Sequence, residues 1–411
     1  MIKSNFMEKL LDGVEVEWKS IKEIIFGNFW IMPTTPKFNE DGEIPYITSK
    51  NIRGGNINFD KVKFISYSDY LELSRNRPIL VGDILISMIG TIGEVARVKK
   101  TDLDFYGQNM YLIRLDTKLV NSDFFLHFFD SPKMKSHFNL VKNNSGQGYL
   151  KAKDIENLPI PIPPLEVQEE IVRILETLTE VTAELKAELK ARKQQYEYYR
   201  DKLLTFEEDE VEWRELGDIG QFTRGKRFVK TDMLSEGFPC IHYGEMYTHY
   251  NIWAEKTKSF VSHDLASKLR VADHGDVVIV AAGETIEDIG KGTAWLGNTE
   301  VVIHDACFSY RSSLNPKYVS YFLRTKQFHD QIKKHISSGK ISAINANGLA
   351  KAKIPIPSLE KQERIVFVLD KFDTLTSSII EGLPREIELR KKQYEFYRNM
   401  LLSFPKEKVE V

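Results

Sequence analysis

Few residues have the type and spacing to carry out covalent chemistry, and each falls short. Asn315-Pro316-Lys317-Tyr318 is the nearest approach to an amino-methyltransferase tetrad, but it lacks the second proline and stands at a helix start. Residues 283–292, with Gly290-Lys291, are the nearest phosphate loop; the spacing is wrong and Gly292 occupies the place of the metal-binding hydroxyl. His242, His249, His263, His274 and His304 fall in loops without metal-ligand spacing, and most are expected at the surface. Glu284, Glu287 and Asp288 read as a solvated turn rather than an acid/base pair. No active site emerges, and no catalytic or metal-binding residue is expected.

The elements that would position any site are dominated by a repeat, which is read before local motifs because it sets the architecture. Residues 160–172 read IPIPPLEVQEEIV and residues 192–206 RKQQYEYYRDKLLTF; residues 354–366 read IPIPSLEKQERIV and residues 390–404 RKKQYEFYRNMLLSF. Pro163 and Pro164 suit a helix start, where no N–H is needed. From Ile171, a seam through Leu175, Leu178, Thr182, Leu185, Leu189, Arg192, Tyr196, Tyr199 and Leu203 alternates spacings of four and three. That heptad pattern predicts a long helix packed lengthwise on a partner. The second copy continues through Ile365, Leu369, Phe372, Leu375, Ile379, Leu383, Ile387, Tyr394 and Leu401. It is four residues longer, and Gly382 and Pro384 should kink or break it. The seam tyrosines Tyr196, Tyr199, Tyr394 and Tyr397 are expected in the core rather than as base-stacking platforms.

Composition narrows the class. A chain of 411 residues with 42% apolar residues has ample core for two or three domains. Its net charge of −2 confines any nucleic-acid surface to a local patch or to one completed by a partner. Cys240 and Cys307 are too few for a disulfide framework or a cysteine zinc site, which suggests a cytoplasmic protein. The opening MIKSNFMEKLLDG lacks the apolar core of a signal peptide, and no run approaches a membrane span.

Between the helices lie two blocks of mixed α/β character. In the first, Gly82-Asp83 turns into a buried strand, residues 94–98 and 110–115 form further strands, and residues 123–129 and 132–141 form helices. The second repeats the order with His274-Gly275-Asp276, residues 299–304, and helices over 316–326 and 328–336. A glycine loop, Ser145-Gly146-Gln147-Gly148 or Ser338-Gly339-Lys340, closes each block. Leu10-Leu11 before Val16-Glu17-Trp18 echoes Leu203-Leu204 before Val211-Glu212-Trp213, and Leu401-Leu402 precedes Val409-Glu410-Val411. That wording suits a pseudo-two-fold ring with neighbouring termini. The expected domains are residues 1–158, a central helix at 159–207, a second block at 208–353 and a terminal helix at 354–411. Beyond the shared scaffold the blocks diverge.

The proline–Leu–Glu–x–Gln–Glu helix entry, found twice, the repeated Tyr-Glu-aromatic-Tyr-Arg exit and the two divergent blocks resemble the specificity subunit of a type I restriction–modification enzyme. The resemblance covers essentially the whole chain. It implies that each block is a target recognition domain reading one half of a split double-stranded DNA site. The helices then form an antiparallel coiled coil that sets the gap and docks two methyltransferase (modification) subunits. Those subunits use S-adenosylmethionine to methylate adenine, and a further restriction (motor) subunit uses ATP and Mg to cleave DNA. This chain itself would hold no cofactor and catalyse nothing. Residues 181–189, VTAELKAEL, resemble the tandem Thr-Ala-Glu-Leu repeat of one subfamily, with Lys186 in place of the second threonine. There the repeat number sets the gap.

Under that implication, base readout needs Arg, Lys, Asn or Gln at base edges with neighbours on phosphate. In the first block the candidates are Thr48, Lys50, Asn51 and Arg53, then Gln108 and Asn109, then Gln147, Tyr149, Lys151 and Lys153. In the second the densest cluster is Arg224, Lys226 and Arg227, joined by His242, Tyr243, Lys291 and Lys340. For most of these a solvated charge or a turn former is an equal alternative; the cluster at 224–227 leans towards contact. Two other functions fit: a specificity module of another methylation or phage-defence system, and a coiled-coil adaptor with no DNA role.

Overall fold

Proline-flanked extended segments bracket each block and pair with each other in the computed structural model, which describes residues 10–11, 13–141, 149–207, 209–339, 341–378 and 381–404. Glu17–Ser20 pairs antiparallel with Pro159–Ile162, and Glu212–Glu215 pairs the same way with Lys353–Ile356. Trp18 faces Pro161 in the first pair and Trp213 faces Pro355 in the second. The chain divides into two units, Met1–Glu184 with Ile387–Val411, and Leu185–Glu386.

In the first unit an antiparallel sheet runs in the order Ile25–Ile31, Met110–Leu115, Ile84–Ser87, Val95–Arg97. A smaller mixed sheet runs Lys63–Ile65, Ile44–Ile47, Tyr106–Gly107, the last pair parallel. The second unit repeats both. Its larger sheet runs Gly220–Arg224, Cys307–Ser312, Val277–Val280, Gly292–Trp295 and adds Trp253–Ala254. Its smaller sheet runs Ser259–Val261, Phe238–Ile241, Val301–Ile303 and adds Val271–Ala272. Same order, same directions: the internal repeat extends through the blocks.

The shared turn explains why. Gly82 and Gly275 have φ values of +93° and +90°, a region that suits glycine. The aspartate after each is buried and bound to an arginine on the neighbouring strand: Arg114 Nε to Asp83 at 2.9 Å, Arg311 Nε to Asp276 at 2.8 Å. Each carboxylate also accepts a backbone N–H three residues upstream, from Leu80 at 2.8 Å and from Asp273 at 3.0 Å. Removing the arginine would leave each buried carboxylate without its charged partner, at a cost of roughly 1–3 kcal/mol.

The central helix, Leu165–Leu203, buries Ile171, Leu175 and Thr182 along the expected stripe, while Tyr199 at its far end stays exposed. In the first unit Ile171 and Leu175 share a core with Met400, Leu401 and Phe404. In the second unit Tyr196 and Tyr199 meet Phe372, with ring centroids 6.4 and 5.6 Å apart. Leu203 and Phe206 border the same cleft as Ser358 and Ile365. Later residues of one helix thus meet earlier residues of the other, so the pairing within each unit is antiparallel. Leu10 and Leu11 pack on the same core as Leu401, Leu402 and Phe404, so both ends of the described chain belong to the first unit.

Among the described residues the second copy departs from its expected seam at one place; Ile379 lies outside them. Leu375 is 37% exposed, whereas Thr376 is 1% exposed and carries the stripe. Ile365, Leu369, Phe372 and Thr376 thereby repeat the spacing of Ile171, Leu175, Leu178 and Thr182. Threonine is tolerated because its hydroxyl donates to the carbonyl one turn back: Thr182 to Leu178 and Thr376 to Phe372, both at 2.8 Å. The helix ends at Ser377 and resumes as Leu383–Leu401, the break foreseen at Gly382 and Pro384. A Cβ on Gly382 would come within 2.3 Å of the Thr374 carbonyl, so the break requires glycine.

Candidate nucleic-acid interface

In the first unit the strand ends converge on one set of loops. Gln108 N–H donates to the Ile47 carbonyl at 3.1 Å, Leu150 N–H to Met88 at 3.0 Å and Met88 N–H to Asn109 at 3.5 Å. Tyr149 bridges Ile89, and Thr91 Oγ1 donates to the Ser49 carbonyl at 2.7 Å. Thr48, Gln108, Asn109 and Tyr149, distant in sequence, are therefore brought together at one junction of strand ends. Asn109 has φ +65°, a conformation asparagine tolerates better than most residues.

Not every candidate is available for recognition. Asn51 Oδ1 accepts from the Thr48 N–H at 2.9 Å and its hydroxyl at 3.2 Å, while Asn51 Nδ2 donates to the Asn58 carbonyl at 2.9 Å. Its amide clamps a turn. Gln108 Oε1 accepts from Thr35 and Tyr46 hydroxyls at 3.2 and 3.4 Å. Lys50, Arg53, Lys151 and Lys153 are exposed. Arg53 opens a hairpin that closes through Gly54 and Gly55, both at positive φ. Gln147 lies outside the described residues, as does Lys340 in the second block.

The second unit builds the same junction with the same bonds. His304 N–H donates to the Ile241 carbonyl at 3.2 Å, Ile344 N–H to Ala281 at 2.8 Å and Ala281 N–H to Ala306 at 2.8 Å. By these bonds His242 stands where Thr48 does, His304 replaces Gln108, and Ala343 replaces Tyr149. This junction borders a cavity of about 400 Å³ lined in part by Arg227, His242, Tyr243, Glu284, His304 and Asp305.

The basic cluster reaches this cavity through one residue. Arg227 is exposed on its lining, whereas Arg224 Nε donates to the Asp305 carbonyl and Lys226 Nζ to the Lys268 carbonyl, each at 2.9 Å. A Cβ on Gly225 would fall 2.2 Å from the His304 carbonyl, so only glycine lets this loop cross. Tyr243 lines the cavity, its ring 4.6 Å from that of His242. Lys291 is ion-paired to Asp288 and absent from the lining.

Most of the histidines are expected at the surface, but His242 and His304 are 4% and 8% exposed. His242 Nδ1 accepts the Gly244 N–H at 3.2 Å and His304 Nδ1 accepts the Ala306 N–H at 3.1 Å, so each neutral ring carries its proton on Nε2. Burial, with His304 and Lys230 nearby, pushes His242 down to about 4. Burial also lowers His304; Asp305 Oδ1, 3.0 Å from its Nδ1, pulls the other way without prevailing. At neutral pH both rings are uncharged hydrogen-bonding groups. The two rings are brought together by strands far apart in the chain, so no local sequence signal marks this pair.

Residues 14–192 and 208–389 both match the family described as Type I restriction modification DNA specificity domain. The chain belongs to that family. Among relatives of this DNA specificity chain, the Escherichia coli "Type I restriction enzyme EcoR124I/EcoR124II specificity subunit" is 30% identical, covering 99% of this chain and 98% of its own. A putative type I restriction enzyme specificity subunit of Haemophilus influenzae is 32% identical over 97% of this chain and 98% of its own. Two solved structures share the fold: one from a study of type I R-M system assembly and conformational transition (TM-score 0.64, 19% identity, 94% of this chain and 97% of that chain). The other is the HsdS subunit from Thermoanaerobacter tengcongensis, with TM-score 0.52, 18% identity and coverage of 94% and 96%. Among the described residues no group of His, Cys, Asp or Glu is arranged to hold a metal ion, and no helix is long and apolar enough to cross a membrane.

Proposed function

We propose that this chain is the DNA sequence-recognition subunit of a type I restriction–modification complex, each block reading one half of a bipartite site. One observation carries this reading: the two blocks build the same junction of strand ends from the same backbone bonds and place different side chains there. Thr48 and Gln108 stand at positions in one block that His242 and His304 hold in the other. A structural adaptor has no need of two differently furnished copies, whereas two half-sites of different sequence do.

In this mechanism exposed cations such as Lys50, Lys151 and Arg227 meet phosphates and set register, while other side chains at the two strand-end junctions meet base edges in the major groove. The paired helices set the gap between half-sites and dock two methyltransferase subunits. S-adenosylmethionine, and ATP with Mg, belong to partner subunits; this chain holds neither and catalyses no step. The complex works in the cytoplasm. The test is DNA binding by the assembled subunit–methyltransferase complex across a salt series. Affinity is expected to fall linearly on a log–log plot, because phosphate contacts release counterions. Salt-insensitive or absent binding would favour the adaptor.

A further inference from the structure

Each block meets its helices through a short helix of its own, and the two joints carry different charges. In the second unit Lys317 Nζ is ion-paired to Asp370 Oδ2 at 2.8 Å, and the Tyr321 hydroxyl donates to Asp370 Oδ1 at 2.7 Å. Arg324 Nη2 donates to the Asn251 carbonyl at 2.8 Å, and Asn251 Nδ2 donates to Asp373 Oδ1 at 2.6 Å. Asn251 thus links an arginine of the block to a carboxylate of the helix.

The first unit replaces most of this set. The register that matches Asn121 to Asn315 and Gln168 to Gln362 puts Asp123 in the place of Lys317 and Asp130 in that of Arg324. It likewise puts Glu176 in the place of Asp370 and Thr179 in that of Asp373. Arg97 N–H donates to the Gly55 carbonyl as Ala294 N–H does to Ile252, so Gly54 stands where Asn251 does. Asp123 and Asp130 turn instead to cations of their own block, Arg97 at 2.7 Å and Lys135 at 2.6 Å. Between block and helix lies a cavity of about 360 Å³, bordered by Gly54, Asp123, Asp130, Glu176 and Thr179. Glu176 and Thr179 are exposed, so acid faces acid in water, where like charges cost little.

We propose that the joint is a key that fixes which block sits on which helices: Asp370 and Asp373 accept a block bringing cations and an amide, Glu176 and Thr179 accept the first block. That the key thereby orders two half-sites rests on the proposed recognition role; the pairing itself does not. With the first block on the second helices, Asp123 and Asp130 would face Asp370 and Asp373, and Gly54 would offer no amide. Half-buried Asp373 would lose both Asn251 and Arg324 and gain a like charge, which is costly away from bulk water.

The test is a full-length chimera in which a second copy of residues 16–159 replaces residues 211–353, assembled with its methyltransferase partner, with and without Asp373→Thr. Threonine is what the central helix carries at this place, as Thr179, so the substitution keeps the helix. The unmodified chimera is expected to methylate at least about tenfold less than wild type, and D373T to restore it to within about threefold, at a split motif with the first half-site in both halves. In the wild-type chain the same substitution should act with the opposite sign and lower the urea midpoint, because Arg324 and Asn251 lose their carboxylate. A chimera that D373T does not improve, whether both versions methylate or neither does, would overturn the proposal. So would a wild-type chain whose midpoint D373T leaves unchanged. A wild-type complex with no split motif would instead overturn the recognition role, and the urea midpoints of the two chimeras would still read the key: a higher midpoint with D373T supports it, and an equal or lower one overturns it.

Discussion

Gln168 Oε1 accepts the backbone N–H of Asn121 at 2.8 Å, joining the central helix to the helix of the first block that Asn121 caps. Gln168 Nε2 donates to the Leu119 and Pro163 carbonyls at 3.0 and 2.7 Å. Gln362 repeats the arrangement with Asn315 at 2.9 Å and Pro357 at 2.8 Å. Both amides are buried. The glutamine of the repeated Leu-Glu-x-Gln entry is therefore the clamp between each helix and its block.

Gln168→Leu leaves the Asn121 N–H and two carbonyls unpaired, and is expected to destabilise the first unit by about 2–4 kcal/mol. Glu169→Gln, an exposed neighbour, should change stability by less than about 0.5 kcal/mol. Urea unfolding midpoints compare them; equal midpoints would refute the clamp.

Acid should weaken the second unit through His242. Its folded pKa of about 4 lies below the ordinary histidine value of 6.5, so the unfolded chain binds the proton first. The contribution is present above about pH 6.5 and is lost as pH falls towards 4. His242→Asn should flatten that part of a stability–pH curve. Coincident slopes for wild type and variant would contradict it.

Part of the fold was visible in the sequence, for identifiable reasons. Heptad spacing and the Gly382–Pro384 break announce the helices because periodicity and backbone chemistry are local signals. The paired turns at Gly82-Asp83 and Gly275-Asp276 are legible on the same ground. Thr376 in place of Leu375 was not, since hydropathy ranks the leucine higher and ignores a hydroxyl that bonds within its own helix. Nor could residue type separate a reader from a clamp: Asn51 and Lys291 look suited to DNA, and their partners Asn58 and Asp288 reveal the local role. His242 and His304 gain their environment from strands far apart in the chain.

Arg227→Ala should weaken DNA binding uniformly across sequences and reduce the salt slope by about 1, as expected for one phosphate contact. Lys291→Ala, already paired to Asp288, should leave the slope alone. Titration of the assembled complex at several salt concentrations measures both. Equal slopes for wild type and Arg227→Ala would place Arg227 off the backbone.

Deleting residues 186–189 removes about 6 Å of helix at about 1.5 Å per residue. DNA advances about 3.4 Å per base pair, so the recognised gap should shorten by roughly one or two base pairs with both half-sites unchanged. Motif mapping reads the result; altered half-site letters at a constant gap would sink it.

The most direct measurement is whole-genome detection of methylated adenine in cells carrying this chain with its methyltransferase partner, against a matched strain lacking it. A split motif of two short defined parts around a fixed gap, present only with this chain, is the expected result. An assembled complex that adds no methylation would contradict sequence recognition and leave the adaptor standing.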